Sequence, residues 1–291
     1  MSVDLVVDVE AEYPVRAEVA VAGDASLPPL VLLHDGAWGG SGLVTWSEVV
    51  PLLQDSYRVI VPDLPGFGRT SKFVDFEGSP YSYRSRFLMS VLDALDVPGP
   101  VHIVGSSFGG SLGLHALASY PARIRSVMSI SGTGGPWRSA QGKRILSQWD
   151  GTAAGLRPVV AALAGDSAGW DMEGHLKSRY QSADSKAHVR SLMAAGTPVP
   201  TGLTSSTAAV DSWPRALAGS QAPVCLVHGE RDRLVEPLWF ENFRPVVRNL
   251  TVITHGGFHS PNLYDPRWTA ELVREWLTTQ GGVDSGSKSV G

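Results

Sequence analysis

Short apolar runs alternate with amphipathic stretches along most of this chain. The runs are rich in β-branched residues and end at turn-forming residues, a pattern typical of strands buried on both faces of a parallel sheet. They occupy residues 30–33, 57–61, 101–104, 124–130, 224–227 and 250–253. Two of the intervening stretches, residues 82–96 and 268–277, repeat their apolar positions with helical spacing. This alternation predicts an α/β fold built on a doubly wound, mostly parallel sheet.

Two regions depart from this rhythm. Residues 3–22 alternate loosely between apolar and polar positions, which predicts an antiparallel hairpin at the edge of the sheet. Residues 131–222 show no clear strand pattern, and their helical patches carry the tryptophans Trp137, Trp149, Trp170 and Trp213. Because a structureless loop of this length is rare in a compact domain, we expect an inserted helical cap.

These patterns divide the chain into a core, a cap and a tail. The predicted core comprises residues 1–133 and 218–280, and the predicted helical cap comprises residues 134–217. Residues 281–291 are rich in glycine and serine, so we expect them to be disordered.

Composition narrows the classes of partner. A net charge of −4 with 18% charged residues argues against nucleic acid or a membrane surface as a partner. The single cysteine, Cys225, excludes an internal disulfide framework. The N-terminus has no basic region of a secretory signal, and no apolar stretch approaches the ~20 residues that span a bilayer, so we expect a cytoplasmic protein. The sequence shows no metal-ligand spacing and no dinucleotide fingerprint, so we expect no metal and no cofactor. The sequence leaves homo-oligomerisation open.

The candidate nucleophile is Ser107, the central residue of a G-x-S-x-G pattern that runs from Gly105 to Gly109. The pattern follows a predicted strand and precedes a predicted helix, which is the setting that this motif requires. Glycines on either side permit a sharp turn that projects the serine above the carboxyl ends of the strands. Ser106 is the competing serine, but only Ser107 is centred between the glycines.

A serine nucleophile needs a base and an acid that orients the base, and in this fold the acid precedes the histidine. His255 and His259 both follow the last predicted strand. The spacing to the last helix favours His259 as the base, and His255 is expected to end the strand. Glu230 and Asp232 both lie in the loop after the preceding strand, where the acid belongs.

An oxyanion hole is expected from two backbone N–H groups. Gly36 lies in the Gly-rich segment 34–40 after an early strand, and Phe108 follows the nucleophile directly. Taken alone, the Gly-rich segment would be interpreted as a plain turn. Together with Ser107 it indicates an oxyanion hole.

The chain resembles the α/β-hydrolase superfamily along about residues 25–280, and within it the meta-cleavage product hydrolases, which cleave carbon–carbon bonds in aromatic degradation. The segment 34–46, H-D-G-A-W-G-G-S-G-L-V-T-W, is similar to the oxyanion segment of that family. The segment 229–236 is similar to its acid segment and puts Asp232 on the acid. The resemblance implies that Arg179, followed by an aromatic residue, binds the carboxylate of the substrate through its planar fork.

Several positions depart from the family pattern. The chain has Ser106 where the family has asparagine, Asp35 for glycine, Trp38 for proline and Ser260 for tryptophan. These positions line the family's substrate pocket. The resemblance implies that the substrate-binding residues here are Arg179, Trp38, Ser106 and Ser41, and Ser41 is in register with the serine of the family's oxyanion segment.

The expected function is serine-dependent hydrolysis of a small organic molecule, by cleavage of a C–C bond next to a ketone in a dienoate-like ring-fission product. One alternative is an esterase or lactonase that acts on a small apolar ester through an acyl-enzyme. A second alternative is a ligand-binding protein that retains the three residues on a hydrolase scaffold.

Overall fold

The computed structural model describes residues 2–8, 14–73, 75, 79–166, 169–195 and 213–280. Its strands are β1 (Ser2–Val7), β2 (Val15–Ala22), β3 (Pro29–Leu33), β4 (Arg58–Pro62), β5 (Val101–Ser106), β6 (Ile124–Ile130), β7 (Val224–Gly229) and β8 (Leu250–His255). Its helices are α1 (Gly42–Trp46), α2 (Val50–Leu53), α3 (Ser82–Ala94), α4 (Phe108–Ser119), α5 (Ala140–Ser147), α6 (Arg157–Ala164), α7 (Met172–Ala183), α8 (Lys186–Ala195), α9 (Pro261–Tyr264) and α10 (Pro266–Gln280).

All eight strands form one sheet in the order β1-β2-β4-β3-β5-β6-β7-β8. β2 pairs antiparallel with β1 at one edge and with β4 on its other side, and β3 to β8 run parallel to one another. The six strands predicted from the apolar runs and the predicted edge hairpin are thus confirmed. Because the strand order reverses between β3 and β5, the crevice at the carboxyl ends of these two strands is where ligands bind in such sheets.

Side chains of the central strands are buried alternately on the two faces of the sheet. In β3, Val31 and Leu33 join the apolar layer under α3 and α4, whereas Leu30 and Leu32 join the layer under α1, α2 and α10. Burial on both faces explains why these strands read as continuous apolar runs rather than as alternating patterns.

Helices α5 to α8 lie between β6 and β7 in the chain. They fall within the segment 134–217 predicted as a cap, whose residues 196–212 lie outside the described residues, as does the tail 281–291. The exact division into core and cap stays a prediction. In the described part of the chain, we find no helix with the length and apolar character required to cross a bilayer.

Candidate active site

Ser107 occupies the turn between β5 and α4 with a backbone conformation that side chains rarely adopt, φ 55° and ψ −114°. Its N–H donates to the carbonyl of Ile130 on the neighbouring strand at 2.7 Å, which fixes the turn against the sheet. A non-glycine residue in this region stores backbone strain, and such strain persists at functional sites where the surroundings hold it.

The glycines that flank Ser107 are required by close backbone contacts. A Cβ atom on Gly105 would lie 2.3 Å from the carbonyl group of Gly109. A Cβ atom on Gly109 would lie 2.2 Å from the carbonyl oxygen of Leu33. The motif therefore reflects the packing of α4 onto β5 and β3 as well as the sharpness of the turn.

His259 and Asp232 form a buried pair at the same end of the sheet. Asp232 lies in the loop after β7 and His259 in the loop after β8, and Nδ1 of the histidine is 2.6 Å from Oδ2 of the aspartate. Both side chains are almost fully buried. Burial alone would raise the pKa of Asp232, but the interaction with His259 and the N–H of Leu234 at 2.8 Å hold that pKa below its usual value.

Ser107 and the side of His259 that faces away from Asp232 share a recess. Ser107, Phe108 and His259 line a recess of about 30 Å³ that also contacts Leu234. Nε2 of His259 is buried and has no hydrogen-bond partner among the described residues. The atom is therefore available to a proton from a hydroxyl in the recess.

The competing histidine has a different environment. His255 ends β8, where its Nδ1 accepts the N–H of Gly257 at 3.2 Å and its ring lies 5.0 Å from that of Trp268. The structure thus brings His259, rather than His255, to Asp232 and to the recess beside Ser107.

Gly36 lies against Phe108, as expected for two donors of one oxyanion hole. A Cβ atom on Gly36 would lie 2.7 Å from Cβ of Phe108, and both residues line the same cavity as Ser107. The loop that carries Gly36 is held from two sides. His34 donates from Nδ1 to the carbonyl of Asp35 and accepts the N–H of Leu64 at Nε2, at 2.7 and 2.9 Å.

Arg179 does not extend into this cavity as the resemblance implied. Its two terminal nitrogens bind the two oxygens of Asp35, with Nη1–Oδ1 at 3.1 Å and Nη2–Oδ2 at 2.7 Å, and both side chains are sealed from solvent. Asp35 also accepts from the N–H of Ala37 and the hydroxyl of Thr45. Because the fork that would hold a substrate carboxylate is already filled, the expected substrate-binding role of Arg179 is corrected to a structural one.

Of the other three expected substrate-binding residues, only Trp38 lines the cavity. Trp38 lines the cavity and donates from its indole to the carbonyl of Leu146 on α5 at 2.7 Å. Ser41 caps α1 by accepting the N–H of Val44, and Ser106 lies beneath the nucleophile with its hydroxyl 3.3 Å from that of Ser260. Neither serine is among the described residues that line the cavity, because both are buried in the core.

The cavity above Ser107 measures about 520 Å³, within the range of about 300–1,000 Å³ usual for small-molecule sites. Helices α5, α6 and α8 cover it with Leu146, Leu163 and Leu192. Its charged lining consists of Arg84, Arg138 and Lys143, and none of the described lining residues is acidic. An uncompensated basic lining suits an anionic ligand.

Sequence reasoning missed Arg84 and His188. Arg84 is 4% exposed although it lies three residues before Phe87 on the apolar face of α3, and a charged residue in such a stripe is the signal that could have found it. His188 of α8 accepts the N–H of Gly39 at Nε2 and donates from Nδ1 to the carbonyl of Gly66, each at 3.1 Å. It therefore links α8 to the loop of residues 34–40 that carries Gly36, a contact that spacing along the sequence does not reveal.

Comparison with known proteins agrees with this fold. The family model described as the α/β hydrolase fold matches residues 28–266, so the chain belongs to the α/β hydrolase family and is a hydrolase. A 2-hydroxy-6-oxo-6-(2'-aminophenyl)hexa-2,4-dienoic acid hydrolase of Metapseudomonas resinovorans is 28% identical over 71% of this chain and 69% of that relative. A 2-hydroxy-6-oxo-2,4-heptadienoate hydrolase of Pseudomonas putida is 27% identical over 71% of this chain and 73% of that relative.

A solved structure gives the same result for the fold. A serine hydrolase involved in carbazole degradation superposes with a TM-score of 0.75 at 24% identity, over 96% of this chain and 100% of that one. The resemblance to meta-cleavage product hydrolases that the motifs indicated is therefore confirmed at the level of the relatives.

Proposed function

We propose that this hydrolase cleaves a C–C bond next to a ketone in a dienoate-like ring-fission product, with Ser107, His259 and Asp232 as its catalytic residues. The observation that carries the proposal is the buried His259–Asp232 pair, whose free Nε2 shares a recess with the strained Ser107. The substrate class is supported by the two relatives, whose names specify hydroxy-oxo-dienoates, and by the cavity's basic lining.

In this proposal each group takes one step. Asp232 accepts a hydrogen bond from the Nδ1–H group of His259, which leaves Nε2 as a base that can move protons during ketonisation of the dienol. Ser107, or a water molecule that the pair activates, then attacks the ketone carbonyl, and its proton passes to Nε2 of His259. Collapse of the resulting oxyanion breaks the adjacent C–C bond, and the carbon fragment leaves as an enolate that takes the proton from His259. If Ser107 is the attacking group, water then hydrolyses the acyl-enzyme. The N–H groups of Gly36 and Phe108 would hold the negative charge that develops on the carbonyl oxygen.

The test is to supply a ring-fission dienoate to the purified enzyme and follow loss of its visible absorbance. We expect turnover that falls by at least about 10³-fold in Ser107→Ala, because that variant lacks the hydroxyl. Unchanged absorbance alongside rapid cleavage of p-nitrophenyl esters would contradict the C–C assignment. Ligand binding without turnover of either substrate would favour a binding protein on a hydrolase scaffold.

An esterase or lactonase is the second candidate, favoured by the pairing of Arg179 with Asp35. That pairing removes the arginine that the resemblance assigned to a substrate carboxylate, and the cavity walls carry many apolar groups suited to an uncharged ester. A burst of p-nitrophenol equal to the enzyme concentration would support this candidate, since it reports an acyl-enzyme.

A further inference from the structure

The cavity holds a buried cation that the proposed chemistry does not yet use. Arg84 begins on the first turn of α3 and reaches the cavity with only 4% of its surface exposed. Arg138 and Lys143, the other two cations in the lining, are exposed to solvent. Burying a charge without a partner costs solvation free energy, so the groups around Arg84 indicate whether its charge is already compensated.

Neutral groups surround the guanidinium. Nε and Nη2 donate to the carbonyl of Pro65 at 3.1 and 2.9 Å, and Nη1 donates to the carbonyl of Pro80 at 2.7 Å. The Cζ atom lies 4.5 Å from the ring centre of Tyr83 and 5.2 Å from that of Phe108. No carboxylate of the described residues forms an ion pair with it, and burial lowers its pKa.

Donors remain for an incoming anion. A guanidinium has five N–H groups, and three of those on Arg84 are used by the two proline carbonyls. The buried hydroxyl of Ser191 on α8 has no hydrogen-bond partner among the described residues. It is a neighbour of Arg84, because a Cβ atom on Gly66 would lie 2.8 Å from Oγ of Ser191 and 3.4 Å from Nη2 of Arg84.

We propose that Arg84 forms an anion subsite of the cavity, which binds a carboxylate carried by the substrate. The guanidinium of Arg84 faces the ring of Phe108, the residue after the nucleophile, and Arg84, Ser107 and Gly36 line the same cavity. One substrate molecule can therefore place its carboxylate at Arg84 and its scissile carbonyl at Ser107 and Gly36. The substrate class rests on the function proposed above. The subsite itself requires only that the bound molecule be an anion.

The experiment separates the two proposals by using esters whose cleavage does not depend on C–C chemistry. Mono-p-nitrophenyl glutarate and adipate are compared with the same compounds capped as methyl esters, so that each pair differs only in charge. We expect wild-type enzyme to prefer the anionic esters. In Arg84→Met, the ratio of kcat/KM for anionic over neutral esters should fall by about 10- to 100-fold, with partial recovery in Arg84→Lys. Arg138→Met is the matched control, a cation removed from the same cavity, and should leave most of the preference in place.

A second pair of variants keeps the arginine and its bonds to the proline carbonyls. Ser191→Asp places a carboxylate beside Nη2 and should abolish the preference for anions, whereas Ser191→Asn should retain it. Calorimetric titration of the glutarate monoester into Ser107→Ala versions of these proteins gives the same comparison without turnover.

The outcomes are distinguishable. An unchanged ratio in Arg84→Met and Ser191→Asp, or a loss that follows Arg138 instead, overturns the subsite even if the dienoate is cleaved. A lost preference in these variants, with no cleavage of the dienoate by wild-type enzyme, supports the subsite and overturns the C–C assignment. Equal loss for neutral and anionic esters would assign Arg84 a structural role and overturn the proposal.

Discussion

Arg179 of α7 and Asp35 of the loop of residues 34–40 form a bidentate ion pair, and each side chain is at most 1% exposed to solvent. Asp35 occupies the position directly before Gly36, so the pair anchors the candidate oxyanion donor to a helix of the segment between β6 and β7. Burial would raise the pKa of Asp35, but the guanidinium of Arg179 holds that pKa far below its usual value. The carboxylate therefore stays charged, and the ion pair holds the loop and α7 together.

Removing one member of this ion pair should lower the stability of the protein. Arg179→Met leaves the Asp35 carboxylate buried without its counter-charge, so we expect a loss of about 3–5 kcal/mol in the free energy of unfolding, measured by urea denaturation. Activity should fall equally for neutral and anionic esters, because the change displaces the loop of Gly36 rather than a substrate contact.

The control for this prediction is Arg157→Met. Arg157 also pairs with a carboxylate of α7, Glu173, but both side chains are more than half exposed, so the change should be nearly silent. An unchanged stability of Arg179→Met, with activity lost only toward anionic substrates, would instead show that Arg179 binds the substrate.

Asp232→Asn tests the orienting role of the acid. The asparagine oxygen can still accept the N–H of Leu234, which turns its NH₂ group toward Nδ1 of His259. Nδ1 must then accept, so the proton resides on Nε2 and the base can no longer take a proton from Ser107. We expect kcat to fall by about 10⁴-fold with little change in the melting temperature, measured by ester hydrolysis and calorimetry. A loss of less than about tenfold would contradict the assignment of Asp232.

Local patterns in the chain are enough to predict the candidate nucleophile and the histidine beside it. Ser107 directly follows β5, and His259 lies in the loop after β8. The strand ends, the flanking glycines and the chain order can all be read from short segments. The partner of Arg179 could not be predicted in this way. Asp35 is 144 residues away in the sequence and contacts Arg179 only once α7 packs on the loop of residues 34–40. Arg84 was missed for a different reason. The apolar spacing of α3 was interpreted as a continuous core face, and only the tertiary structure shows that its first turn reaches the cavity.

The glycines of the nucleophile turn give a third prediction. Gly109→Ala would force a Cβ atom to within 2.2 Å of the Leu33 carbonyl oxygen, so α4 must move away from β3 and carry Ser107 out of register. We expect loss of activity and a large loss of stability, or insoluble protein. Gly99→Ala is the matched control, since no atom lies within 4 Å of the added Cβ, and it should leave both properties unchanged. Full activity in Gly109→Ala would show that the turn is less tightly packed than the structure indicates.

Buried histidines other than His259 should make the stability of the fold depend on pH. Burial is the main cause that lowers the pKa of His102 to about 4, that of His175 to about 3 and that of His188 to about 4, from the ordinary value of 6.5. In His188 the neutral form is also required by bonding, because Nε2 accepts the N–H of Gly39. These rings stay neutral in the folded protein under conditions in which the unfolded chain binds protons.

The sign of the pH dependence follows from these shifts. Above pH 6.5 the histidines are neutral in both states and their contribution is fully present, and it is lost as the pH falls from 6.5 toward 4 because only the unfolded state takes up protons. Each such histidine should reduce the free energy of unfolding by up to about 1.4 kcal/mol per pH unit, measured by urea denaturation between about pH 7.5 and pH 5. His102→Gln, which lies far from Ser107 in β5, should reduce this slope by the equivalent of one proton. The window stops above the range in which Asp35 and Asp232, whose pKa values are lowered, begin to contribute. Stability that is constant or rises on acidification across this window would contradict the neutral buried state of these rings.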